Sequence, residues 1–121
     1  MRERRLSDAA AERRLLALVG LGMRARGVVI GVDQVRAAAK GDTLGVVIVA
    51  ADAARNSREK LLPLLAARKV TVVQGPSAEV LGAALGRGAT VAVGVVDRAL
   101  ASGIRAAGVA AVQAVQEDSG E

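Results

Sequence analysis

Four runs of apolar, largely β-branched residues punctuate this chain: "GVVIG", "LGVVIVAA", "KVTVVQG" and "TVAVGVV". Stretches rich in Ala, Leu, Arg and Glu separate them. A strand with one wet face alternates polar and apolar residues, and these runs do not alternate. Strands apolar on both faces need helices on both sides of their sheet. The expected fold class is therefore α/β, a three-layer α/β/α sandwich around a four-stranded mixed sheet.

The helical stretches carry their own boundaries. Ser7 or Asp8 caps a first helix through "AAAERRLLALV", with Leu15, Leu16 and Val19 on one face. Val32 to Lys40 forms a second, with Gly41 standing where a left-handed cap closes it. Asn56 caps a third, Glu59 completing the capping pattern, and Pro63 inside it predicts a bend. Ser77 caps "AEVLGAAL", which Gly86 ends, and "DRALASGIRAA" closes the fold. No repeat or linker interrupts the series. Residues 1–107 read as one domain, and 108–121 as a C-terminal extension with a frayed acidic end.

Composition narrows the function. There is no Phe, Tyr or Trp, so bases cannot stack on aromatic rings. Any nucleic-acid contact must use shape, backbone groups and base edges. There is also no His and no Cys, which excludes imidazole acid–base chemistry, thiol nucleophiles and ordinary zinc sites. No apolar run approaches the ~18 residues of a membrane span. "RRLLALVGLGM" is followed by Arg24 and Arg26 rather than a cleavage site, so a cytoplasmic protein is expected. Lys and Arg number 17 against 12 Asp and Glu, and residues 15–107 alone carry +6. A basic body favours a polyanionic partner.

Two motifs suggest catalysis and fail on context. "GLGMRA" matches a dinucleotide-binding pattern, yet helix formers precede it and a strand follows, the reverse of the required order. "SREK" matches the S-x-x-K of serine acyl-enzymes, without their S-D-N and K-T-G partners. The chain is read as non-enzymatic, with no cofactor, no metal site and no small-molecule substrate.

One oddity remains. Gly31 opens the second helix, and Asp33, Gln34 and Arg36 give its first turns a polar face. A turn glycine followed by an ordinary wet face accounts for this, with Asp33 placed to favour the helix dipole. Arg36 and Lys40, one turn apart, also fit a wet face, and "LGRG" fits a helix cap and bend. The alternative is that something docks there.

The order of the pieces favours docking. A glycine before a polar helix, a buried strand ending in "AAD", "LLPLL", a V-x-V strand, "LGAALG" and a final Ala/Val strand follow in sequence. From about Leu15 to Ile104 this resembles the ribosomal L-seven-Ae / L-thirty-e family of kink-turn RNA binders, particularly its small bacterial members. The resemblance implies recognition of a sharply bent duplex. In that family the second helix enters the widened groove at the bend. Its glycine lets the backbone approach, and the following polar residues meet guanine edges of tandem G·A pairs. A lysine one turn on supports them, and a loop before the last strand covers an extruded nucleotide.

By position these roles fall on Gly31, Val32, Asp33, Gln34 and Ala37, and on Gly86, Arg87, Gly88 and Ala89 in the loop. Asp52 is expected near the same edge. Val32 stands where the family prefers Thr or Lys, Asp33 replaces Asn or Lys, and Gln34 replaces Glu. Ala37 lacks the lysine, for which Arg36 or Lys40 could compensate. Arg55, Arg58 and Lys60 form the densest basic cluster, able to grip phosphates if it lies beside the groove.

Asp33 only accepts hydrogen bonds and repels phosphate, whereas Gln34 both donates and accepts. Binding weaker than, or differently selective from, an Asn–Glu–Lys site follows. The expected function is RNA binding at a kink-turn or similar internal loop in ribosomal RNA or a messenger leader, in association with the ribosome. A protein-interaction module of the same fold is the alternative, and a detached substrate-binding domain of an RNA methyltransferase a remoter one. The leading reading requires the row after Gly31 and the loop around Arg87 to converge at one edge.

Overall fold

The structure, a computed structural model, describes residues 2–107, with side chains from Ala9 onward. The acidic extension expected from Gly108 lies outside the described residues. The elements run α1 (Arg2–Arg24), β1 (Val28–Ile30), α2 (Val32–Lys40), β2 (Val46–Val49), α3 (Arg55–Ala67), β3 (Val72–Gln74), α4 (Ala78–Ala84) and β4 (Ala92–Val95). A last helix, α5, occupies 98–107. The strands form one mixed sheet in the order β1-β4-β2-β3, with β4 antiparallel to both neighbours and β2 parallel to β3.

The two central strands are buried at every residue, as continuous apolar runs require. Helices α2 and α3 pack together against the sheet, while α1 packs on α4 and α5. Val35 and Ala39 of α2, Leu61 and Leu65 of α3, and Leu81 of α4 supply the fully or almost fully buried side chains of those helices. Each buried leucine contributes roughly 1.5–3 kcal/mol. The α/β/α sandwich with its four-stranded mixed sheet is the architecture that the apolar runs demanded.

Several boundaries differ from expectation. Helix α1 starts at Arg2 and passes through Ser7 and Asp8 instead of beginning at them. The N-cap of α3 is Ala54, with extended backbone and no side-chain cap, so Asn56 lies inside the first turn. Helix α3 continues through Pro63, which is exposed. Gly41 has φ −86°, and the left-handed residue is Asp42 at φ 56°. Asp tolerates that conformation, and its carboxylate reaches Arg68, the residue that caps the end of α3, at 3.2 Å. Left-handed residues follow α1 and α3 too, Arg26 and Lys69, each just past the helix end.

Candidate nucleic-acid interface

Gly31 has φ 98° and ψ 157°, a region open essentially to glycine alone. Nothing lies within 4 Å of a Cβ built there. The glycine is thus required by backbone conformation, and the space beside it is clear. Its amide donates to the Ala92 carbonyl of β4 at 3.0 Å, and its carbonyl accepts from Val35 at 3.0 Å. This fixes the angle at which α2 leaves the sheet. No side chain caps the helix, so the first-turn amides of Val32, Asp33 and Gln34 face outward with the positive end of the helix dipole. Asp33 and Gln34 are exposed, while Val32 is half-buried against the core.

The loop after α4 is held as firmly. Gly86 has φ 73°, and the amides of Leu85 and Arg87 both donate to the Gly82 carbonyl at 3.0 Å. Buried Thr90 donates its amide to Ala78 at 2.9 Å and its hydroxyl to the Gly88 carbonyl at 2.9 Å. Gly86, Arg87, Gly88 and Ala89 are all exposed on this frame. A loop ordered by its backbone can present one guanidinium without support from neighbouring side chains.

The two segments meet. Gln34 and Arg87 line one depression together with Met23, Arg26 and the three residues of β1. A second, adjoining depression is lined by Ile30 to Gln34, Ser57 and Lys60. Gln34 belongs to both. The surface therefore offers the Gly31 turn, the Gln34 amide and cations from three elements: Arg26, Lys60 and Arg87.

Other expected residues lie outside the lining of the two depressions. The Arg36 guanidinium donates to the Lys60 carbonyl and ties α2 to α3. Ala37 and Lys40 are exposed further along α2. The Asp52 carboxylate accepts from the Ala78 amide at 2.8 Å, capping α4 alongside Ser77, whose hydroxyl accepts from Val80 at 3.2 Å. Arg58 donates to the carbonyls of Ala50, Ala51 and Ala53, holding the turn after β2. Arg55 pairs with Glu59 at 3.3 Å on an exposed face. Of the basic cluster, only Lys60 lines the depressions.

Met23, Arg26, Ser57 and Gly82 were not singled out as site residues in the sequence. Only Gly82 had a local cue, a glycine inside a short helix. Among the described residues, no group of three or more Asp or Glu is set to hold a metal ion. Nor is any helix there long and apolar enough to cross a membrane.

Comparisons with known proteins agree with this fold. A protein of unknown function from Bacillus halodurans is 30% identical, with a TM-score of 0.75, over 78% of this chain and 95% of its own. The Giardia lamblia 15.5kD RNA binding protein shares the fold at 21% identity, with a TM-score of 0.72, over 87% of this chain and 90% of its own. No curated protein matches the chain. The family model of the ribosomal protein L7Ae/L30e/S12e/Gadd45 family matches residues 13–103, and the chain belongs to that family.

Proposed function

We propose that this chain is a non-enzymatic RNA-binding protein that recognises a kink-turn or similarly bent internal loop. Its partner is ribosomal RNA or a messenger leader, met in the cytoplasm in association with the ribosome. The observation that carries the reading is the shared depression of Gln34 and Arg87, residues 53 positions apart in sequence. The family membership and the likeness to the Giardia 15.5kD RNA binding protein support it.

The chemistry follows from the groups present. A bent duplex opens its groove, and the clear space at Gly31 lets the α2 backbone enter. The amides of Val32 to Gln34 offer donors to base edges. Gln34 reads a sheared-pair edge with one donor and one acceptor and brings no charge into the groove. Arg87 and Lys60 neutralise phosphates on either side, which sets affinity more than selectivity. Asp33 accepts from guanine N–H groups and keeps phosphate away from the helix start.

The test is titration of the protein with a kink-turn RNA and with the same RNA whose tandem G·A pairs are replaced. The kinked RNA is expected to bind at least tenfold more tightly. Gln34→Ala removes about 1–3 kcal/mol of that discrimination. Arg87→Ala weakens binding and lowers its salt dependence. Equal affinity for both RNAs with a steep salt slope overturns the reading, because charge attraction alone then accounts for binding.

A further inference from the structure

The depression shared by Gln34 and Arg87 continues past the bent-duplex site, along the outer edge of the sheet. It is lined by Val28, Val29 and Ile30 of β1, by Met23 of α1 and by Arg26 in the turn that follows α1. We propose that this trough holds an unpaired RNA strand continuing from the bend. The inference rests on the reading of Gln34 and Arg87 as RNA contacts.

Three observations converge on a nucleic-acid strand. The first is charge. Among the described residues, the only ionisable side chains lining the trough are Arg26 and Arg87, with no carboxylate among them. No described carboxylate forms an ion pair with either. Two guanidinium groups lining one depression offer charge-assisted hydrogen bonds to phosphate oxygens.

The second is the state of the strand edge. The Gly27 carbonyl accepts from the Val96 amide at 2.8 Å, the Gly31 amide donates to Ala92, and Val29 stands opposite Gly94. In an antiparallel ladder alternate residues turn both backbone groups to the same side. Gly27, Val29 and Gly31 therefore face β4, while Val28 and Ile30 turn their N–H and C=O groups outward. Among the described residues nothing bonds to those four groups. They offer donors and acceptors to base edges in a chain that has no aromatic ring for stacking.

The third is continuity. Gln34 lines the trough and the depression beside Gly31 alike, so a strand leaving the bend at Gln34 enters the trough without crossing other surface. The trough is open along its length, which fits a passing strand better than an enclosed small molecule.

The test uses the full chain and four RNAs: a kink-turn and its unkinked control, each with and without a four-nucleotide unpaired extension. Arg26 has φ 59°, a left-handed conformation that glycine adopts freely, so Arg26→Gly preserves the fold. The extension is expected to tighten wild-type binding about fivefold and to steepen the salt slope by about 0.7 per phosphate engaged. Arg26→Gly is expected to lose that gain, so that it binds the kink-turn with and without the extension alike. An extension that adds nothing, or a gain that survives in Arg26→Gly, overturns the proposal and leaves the trough to a peptide strand pairing with β1. Equal binding of the two unextended RNAs strikes the kink-turn reading separately, because the extension's effect is measured on both.

Discussion

Gly82 and Gly88 meet backbone to backbone: a Cβ on Gly82 would stand 1.9 Å from the Gly88 carbonyl oxygen. The loop that carries Arg87 folds down onto α4 at the one helical position without a side chain in the way. Gly82→Ala must push the loop outward, since the obstacle is main chain and cannot rotate aside. The expected cost is about 1–3 kcal/mol in urea denaturation, with loss of RNA affinity beyond that of Arg87→Ala.

Gly31 and Gly88 separate two reasons for a glycine. At Gly31 the backbone is the constraint, and Gly31→Ala is expected to cost about 1–3 kcal/mol and to abolish RNA discrimination as the turn rearranges. Gly88 has open space and no left-handed φ, so Gly88→Ala is expected to stay within about 0.5 kcal/mol. Thermal melts of the two variants, run beside RNA titrations, check the contrast.

Asp52 acts on the interface at one remove. Its carboxylate caps α4, and α4 positions the loop through Gly82. Asp52→Ala is expected to cost about 1 kcal/mol of stability. If Asp52 serves only as a cap, Asp52→Asn keeps an acceptor and restores most of that stability and all RNA affinity, which calorimetry and titration would show.

Lys69 provides a test away from any contact surface. It is exposed, lies just past the end of α3 with φ 58°, and is conformationally strained there. Lys69→Gly is expected to gain about 0.5 kcal/mol, a rise of about 2–4 °C in Tm, with RNA binding reduced only by the lost charge.

Local chemistry was legible in the sequence where it decided structure locally. The bounds of α2 at Val32 and Lys40, the Ser77 cap and the fully buried central strands match the pattern of the residues. Gly31 stood out as an odd way to open a helix, and its conformation, φ 98° and ψ 157°, accounts for the glycine in the terms of the turn-glycine alternative. What stayed hidden depends on distant partners. The Asp52 carboxylate finds an amide 26 residues on, and Arg36 finds a carbonyl 24 residues on. Arg58, counted among cations for phosphate, spends its guanidinium on three carbonyls of the β2–α3 turn. Asn56 had the chemistry of a cap, but α3 had already begun at Arg55, where Arg58 braces the turn instead.

The Gly31 amide, bonded to the Ala92 carbonyl of a fully buried strand, sits beside amides that no side chain covers. In deuterated solvent its proton should be retained for as long as those of the sheet interior, while the first-turn amides of Val32, Asp33 and Gln34 exchange at once. The boundary between the rigid scaffold and the reactive surface then falls between two consecutive peptide groups, so the ligand can engage α2 without loosening the sheet.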